Sequence, residues 1–320
     1  MQIGRFFSHG APLTPLSDGH VPIGVRTSGA PALWRRGITG EGRVAAVIDS
    51  GIDADHPDLA RRIVDYIDLT GDGRQDDLGH GTHVAGTICA CGRISGVAPG
   101  ASLLVIKVIG RTASCDEGLV AQAIRIAVDW RGPRGERVTA INISLGGSGD
   151  SPKLHDAICY AVAQNVEPVC AAGNGGNSRD NTPVQTYPAA YREAVEVGAV
   201  RADRTSAMHF SSSESIDLCA VGESVDSTWP LRLGAPYACL SGTSMAAAHI
   251  TGLLLLEDQM WEVINGRSFR DEAERWRFAT INVAPLDLPP KQQGLGLGFA
   301  RADLLPAEAL CHAVGRRFRR

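Results

Sequence analysis

No uninterrupted apolar run in the sequence approaches the about 18 residues that a membrane-spanning helix needs, so a transmembrane helix is excluded. Neither sign of charge dominates, because Lys+Arg 31 against Asp+Glu 35 leave a net charge of −4. Without a basic excess there is no electrostatic footprint for nucleic acid. Neither a membrane nor a nucleic acid is an expected partner. Lysine is nearly missing, with 3 residues (Lys107, Lys153, Lys291) against 28 arginines, a skew that carries no functional signal. Eight cysteines in 320 residues are too sparse for a small disulfide scaffold. Most sit in apolar runs, such as VEPVC at Cys170 and IDLC at Cys219, the setting of reduced core thiols in a reducing compartment. Cys89-x-Cys91 has no second pair at zinc-finger spacing, which removes a structural zinc finger. The opening MQIGRFFSHGAP lacks a charged segment followed by about 7–15 apolar residues, so no secretory signal is expected and a cytoplasmic location is.

What is present is ordinary globular composition, 44% apolar and 21% charged, enough to bury a large core. From about residue 43 to residue 264, short β-type runs alternate with longer helical patterns. RVAAVI (43–48), SLLVIKVI (102–109), TAINIS (139–144) and VEPVCAA (166–172) are apolar on both faces, as strands of a parallel sheet are. Between them, 116–130 places apolar residues at 119, 120, 123, 124, 127 and 128 behind an acidic first turn, which is helical spacing. Residues 153–164 and 243–256 read similarly. The alternation predicts an α/β fold, a doubly wound, mostly parallel sheet with helices on both faces and its site beyond the carboxyl ends of the strands. Residues 1–22 are an N-terminal extension, 23–312 the main domain and 313–320 a basic tail ending in RRFRR. No internal repeat is visible.

Three constellations occur in the order Asp, His, Ser. AAVIDSGID delivers Asp49 at the carboxyl end of an apolar strand, though many α/β strands end in Asp. In GHGTHVAGT, His80 stands at the apparent start of a helix beside the bulk-free Gly81; alone it could be a helix residue with no chemistry. His83, within the same first turn, reads as a packed or hydrogen-bonded histidine. In LSGTSMAAAHITG, Ser244 opens an Ala-rich helix. A hydroxyl there commonly just caps free N–H groups. The same amides also favour an oxyanion forming beside it. In CAAGNGGN a buried strand ends at Gly173-Asn174, where the amide is either an oxyanion donor or an ordinary turn residue. Together the four are more specific than any one of them. A serine hydroxyl needs an imidazole to take its proton, and the imidazole needs a carboxylate to hold its tautomer.

VIDSGID, GHGTHVAGT, the AAGN turn and SGTSMA, in that order, resemble the subtilisin-like serine proteases. The likeness runs from about residue 22 to residue 312 and is nearest to the bacterial intracellular members, through GAPALWRRGITGEG, ASLLVIKVIG, YPAAYREAVEVGAV and IDLCAVGESVDST. The resemblance implies a serine endopeptidase with Asp49, His80 and Ser244 as its triad and Asn174 in the oxyanion hole. It implies two substrate-binding edges, Ser144-Leu145-Gly146-Gly147 and Ala113-Ser114-Cys115. Ala171, Gly173 and Thr186 would join Ser144–Gly146 around the first specificity pocket. Protein or peptide substrates and a homodimer also follow from the family. Two residues depart from it: Cys115 replaces a usual glycine, and Glu117 replaces a usual aromatic in the fourth pocket. Weaker selection for large apolar side chains is expected there, with tolerance of Arg or Lys. Ala248 stands where the family has proline, which predicts a straighter helix.

Structural calcium is the cofactor that the family implies. The loop CACGRISG after the His80 helix is about three residues shorter than the family's, lacks Asn and Asp, and contains Arg93. A hard cation wants about six to eight oxygens, and a cationic side chain opposes it. Asp58, a family ligand position, remains. Asp68, Asp72 and Asp76 form a second acidic run that partly mimics a calcium loop without a bidentate carboxylate at its last position; a solvated acidic loop is the competing reading. Intracellular relatives use a short extension that crosses the cleft through an apolar-apolar-Pro-aromatic motif. Here Arg5 precedes Phe6-Phe7-Ser8-His9, and Ser8 in place of proline predicts a leaky zymogen-like restraint that the enzyme removes itself. The alternatives are a dedicated processing protease for one precursor protein and an inactive peptide-binding scaffold.

Overall fold

The computed structural model of the chain describes residues 1, 18–175, 185–205 and 215–306. The stretch Arg5 to His9 and the basic tail lie outside the described residues. In chain order the strands are β1 (Val44–Asp49), β2 (Ile63–Asp68), β3 (Ser102–Lys107), β4 (Val138–Ile143), β5 (Glu167–Ala171), β6 (Val195–Val200), β7 (Leu218–Val221), β8 (Val225–Thr228), β9 (Tyr237–Leu240), β10 (Val283–Ala284) and β11 (Leu297–Gly298). The helices are α1 (Ile23–Thr27), α2 (Ala30–Trp34), α3 (His80–Cys89), α4 (Glu117–Asp129), α5 (Pro152–Ala163), α6 (Thr243–Asn265), α7 (Glu272–Ala279) and α8 (Pro290–Gln293). Nine strands form one sheet in the order β10-β11-β7-β6-β5-β4-β1-β3-β2, parallel except where β10 meets β11. β8 and β9 make a separate antiparallel pair.

The unbroken apolar character of β1 has a direct cause in this arrangement. Ala45 and Val47 join a core formed with α3 and α6, whereas Val44, Ala46 and Ile48 join one formed with α4 and α5. Both faces are covered, so neither alternate set can be polar. The chain first runs from β1 out to β2 and β3 on one side, then returns to β4 on the other. That reversal opens a crevice at the carboxyl ends of β1 and β4, the position where doubly wound sheets bind ligands. β3 ends at Lys107, short of the 109 expected, because the amides of Val108 and Ile109 turn onto the Asp49 carbonyl at 2.9 and 3.3 Å. α6 runs unbroken through the buried Ala248 for 23 residues. No helix among the described residues is long and apolar enough to cross a membrane.

Candidate active site

Asp49 ends β1 and His80 begins α3, and the two meet in the crevice. His80 Nδ1 lies 2.8 Å from Asp49 Oδ1 and 3.0 Å from Oδ2, with both side chains fully buried. Asp49 Oδ1 also accepts the Ser50 amide at 2.7 Å. A side chain at position 81 has no room, since a Cβ on Gly81 would stand 2.1 Å from the Gly51 carbonyl and 3.2 Å from Asp49 Oδ1. The glycine is therefore what lets the ring and the carboxylate approach. Gly79 enters the helix at φ +82°, a conformation that L side chains rarely adopt.

Asp76, expected among calcium ligands, has a different place. Its Oδ1 accepts from Ser50 Oγ (2.9 Å), Leu78 N (3.1 Å) and Gly79 N (2.8 Å). Its Oδ2 accepts from Thr82 N (2.9 Å) and Thr82 Oγ1 (2.7 Å). Ser50 Oγ in turn accepts the Gly81 amide at 3.0 Å. The carboxylate thus gathers the amides at the start of α3, where a negative charge is favoured. Burial raises its carboxyl above the ordinary range, against those bonds, and nearby Asp49 raises it further. Sequence reasoning missed this role because the donors come from the helix ahead and from Ser50 behind.

Ser244 occupies the first turn of α6. Its Oγ donates to the Ser144 carbonyl at 3.3 Å, and Ser144 Oγ donates to the Ser244 carbonyl at 3.1 Å. Ser144 Oγ also accepts from Asn142 Nδ2 at 2.8 Å, while Asn142 Oδ1 accepts from Thr251 Oγ1 at 3.0 Å. These buried bonds tie the Ser244 turn to the end of β4. The Ser144 hydroxyl, expected to line the first pocket, is turned inward to this network. Asn174 is oriented by Thr243: its Oδ1 accepts both the Thr243 amide and the Thr243 hydroxyl at 3.0 Å. A backbone N–H can only donate, so the carbonyl end must face Thr243 and the NH2 end is the donor directed elsewhere. The Gly173 amide donates to Thr243 Oγ1 at 3.0 Å, which locks the turn to the helix. His83 packs as expected. Its Nε2 faces the Val225 and Ala238 carbonyls at 3.0 and 3.2 Å, and burial lowers its pKa to about 3, so the ring stays neutral.

The expected substrate edges flank this centre. Gly147 and Tyr187 exchange backbone bonds of 3.0 and 2.8 Å, which sets Thr186 beside the Gly146 side of the crevice. Leu145, Ala171 and Thr186 are buried. On the other edge Ala113 has φ +56°, and Cys115 is paired through its backbone with Met1. The Met1 ammonium donates to the Cys115 carbonyl at 2.8 Å and the Cys115 amide to the Met1 carbonyl at 3.0 Å. The two residues thus exchange a reciprocal pair of backbone bonds. Ser114 is exposed on the same segment. A Cβ on Gly149 would stand 3.9 Å from Glu117 Oε2, so the Glu117 carboxylate reaches toward the loop that follows the Ser144–Gly147 edge.

The fit to calcium is poor at the four acids expected to bind it. Asp58 gives Oδ1 to the Arg93 amide (3.0 Å) and Oδ2 to the Ile94 amide and Tyr237 hydroxyl (3.1 and 2.9 Å). The short loop is closed on the carboxylate by its own N–H groups. Asp68 accepts from Thr70 and Gly73, Asp72 from the Arg111 amide. With Asp76 turned under α3, these three acids do not converge. Among the described residues, the one group of three convergent His, Cys, Asp or Glu ligand atoms lies elsewhere, at α5.

Comparison with known proteins gives a consistent result. A family model described as "Subtilase family" matches residues 40–271. The chain is 40% identical over 293 residues to an "Intracellular serine protease" of Paenibacillus polymyxa, covering 88% of this chain and 86% of the relative. It is 38% identical over 292 residues to the "Major intracellular serine protease" of Bacillus subtilis, covering 88% of each. It is also 38% identical over 248 residues to "Subtilisin E" of Bacillus subtilis, covering 75% of this chain and 62% of that one.

Proposed function

Because the chain belongs to the subtilase family and is a serine endopeptidase, we propose that it cuts intracellular proteins through Asp49, His80 and Ser244. The observation that carries this assignment is the two-oxygen contact of Asp49 with His80 Nδ1. A carboxylate there demands a proton on Nδ1 and so puts the neutral ring's lone pair on Nε2. Nε2 takes the Ser244 hydroxyl proton as Oγ attacks the peptide carbonyl, and the imidazolium then returns it to the leaving amine. Water deacylates the ester by the same route in reverse. The oxyanion is met by the Ser244 amide and by Asn174 Nδ2, whose direction Thr243 fixes. Asn174→Ala is expected to lower kcat by two to three decades, about 3–4 kcal/mol, with KM nearly unchanged. Steady-state kinetics on a chromogenic peptide amide checks it; an equal rise in KM would assign Asn174 to ground-state binding instead.

The extension 1–22 is proposed as a restraint on the peptidase domain 23–312. One observation supports it. Met1 is bonded to Cys115 on a substrate edge, while Asp18 pairs with Arg93 at 3.0 Å on a different loop. A fluorophosphonate probe reacts only with an assembled nucleophile. Labelling of Ser244 is expected in the full chain, and at least several-fold faster in a chain beginning at Val21. Equal rates would leave the extension without a regulatory role. No labelling of either form would remove the assignment of Ser244 and favour a peptide-binding scaffold.

Cytoplasmic location and pairing of two copies belong to the same proposal; the relatives' names supply the intracellular setting. Structural calcium, the cofactor that the family resemblance implies, would have to be held by Asp58 and the Asp68/Asp72 loop, whose carboxylates are already engaged by N–H donors. Cys115 and Glu117 on the edge favour a second reading, selective processing of one precursor, which a digest of whole-cell protein separates from general cleavage.

A further inference from the structure

His155, Cys159 and Glu193 converge on one side of α5, and neither the triad nor the substrate edges use them. His155 and Cys159 are one turn apart on the helix, which places them side by side. Glu193 comes from the turn before β6. One ligand atom from each lies within 4.8 Å of the other two. Tetrahedral zinc holds sulfur, nitrogen and oxygen ligands about 3.3–3.6 Å apart, given bond lengths of about 2.0–2.3 Å. Small rotamer adjustments of three half-buried side chains close that difference.

The imidazole and the carboxylate already face each other, through a hydrogen bond that a shared cation would replace. His155 Nε2 stands 2.8 Å from Glu193 Oε2, and its ring stacks on Tyr191 with centroids 4.3 Å apart and planes 8° from parallel. Tyr191 is itself fixed, its Oη lying 2.9 Å from Asp150 Oδ1 and 3.0 Å from both the Ser151 carbonyl and the Ser151 amide. The exposed Arg192 guanidinium is 3.6 Å from Glu193 Oε1, which leaves Oε2 to face the histidine. An imidazole locked by stacking is the kind of outer support that tunes metal sites.

A Cys–His–Glu set could also be a thiol nucleophile, but here the imidazole Nε2 that would serve as its base is engaged by Glu193 Oε2 at 2.8 Å. Glu193 and Asp156 surround the thiol with carboxylates, which help to hold a dication. Thiolate, imidazole and carboxylate together suit zinc, whereas calcium requires six to eight oxygens.

We propose that His155, Cys159 and Glu193 bind a zinc-class dication, with the fourth position open to water. The ion clips α5 to the turn that follows Thr186. Tyr191 lies between this clip and Tyr187, whose ring is 4.8 Å away and whose backbone pairs with Gly147. The clip therefore braces the wall of the first specificity pocket from behind.

Full-length Ser244→Ala protein, which cannot digest itself, is stripped with a chelator and titrated with Zn2+ against a chromophoric competitor. One equivalent is expected to bind at micromolar affinity or tighter. Cys159→Ser, His155→Ala and Glu193→Gln are each expected to weaken it about ten- to hundredfold. Their metal-free melting curves should overlay that of the parent. Co2+ in place of Zn2+ should give near-ultraviolet thiolate-to-metal absorption that survives substitution of the exposed Cys91 by Ser and vanishes in Cys159→Ser. The proposal is overturned by the absence of stoichiometric uptake, by an affinity indifferent to all three substitutions, or by a cobalt band that persists without Cys159.

Discussion

Ser244→Ala is expected to lower kcat on a peptide amide by about six decades while leaving the fold intact; that magnitude is subtilisin's own, carried over to a homologous triad. The change removes the atom that forms the acyl-enzyme, so no partial function survives in the other two members. What remains is the catalysis of the oxyanion donors and of substrate binding, a residual about three to four decades above water. Structurally the loss is small. The bond from Ser244 Oγ to the Ser144 carbonyl, long at 3.3 Å, is lost, whereas the reciprocal bond from Ser144 Oγ to the Ser244 carbonyl is untouched. Stability should fall by no more than about 1 kcal/mol. His80→Ala added to this variant should cost almost nothing further, because the members act as a unit. Active-site-titrated kinetics and a thermal melt check both statements. A variant that keeps more than about a thousandth of the activity would show that Ser244 is not the nucleophile.

Asp49→Asn is expected to lower kcat by about four decades with little change in KM. Asparagine is nearly isosteric with aspartate, so the effect arises from proton placement. A carboxylate facing Nδ1 can only accept, which fixes the proton on Nδ1 and the lone pair on Nε2. An amide can turn its NH2 toward Nδ1. The ring then carries its proton on Nε2 and cannot take one from Ser244. The surroundings permit that inversion. The Ser50 amide at 2.7 Å claims Oδ1, so the NH2 is driven to the Oδ2 position, 3.0 Å from Nδ1. Nitrogen NMR of the His80 ring should report protonation moving from Nδ1 to Nε2. A loss of less than tenfold, or an unchanged tautomer with a large loss, would contradict this account.

The three residues proposed as the triad were legible in the sequence because each sits at a local boundary that short-range chemistry marks. Asp49 ends an apolar strand, His80 follows a glycine with φ +82° at its helix start, and Ser244 opens an Ala-rich helix. Long-range partners were not legible. α6 was expected to end at 256, where the apolar period gives way to Glu257-Asp258-Gln259, yet it continues to Asn265. Asp258 is paired with Arg43 at 2.7 Å, and Gln259 Oε1 accepts the Thr39 and Gly40 amides at 2.8 and 2.7 Å. Polar residues extend that helix because an N-terminal segment about 220 positions away in sequence supplies donors. Asp76 was placed with the acidic loop for the same reason in reverse: its composition resembles a calcium run, while its donors lie on the helix it supports.

The sequence by itself determined the alternation of buried strands and helices, the family likeness and the residues proposed to carry the chemistry. All of these rest on contacts between near neighbours or on patterns of period 2 and 3.6. Only the tertiary structure decided which polar groups serve the site from behind. It made Asp76 the anchor of α3, turned Ser144 inward to Ser244, and let Thr243 choose the donor end of Asn174. It also drew the expected calcium acids apart and brought His155, Cys159 and Glu193 together. A buried polar group must find its partners wherever the fold puts them, and those partners are chosen in space, with no fixed spacing along the chain.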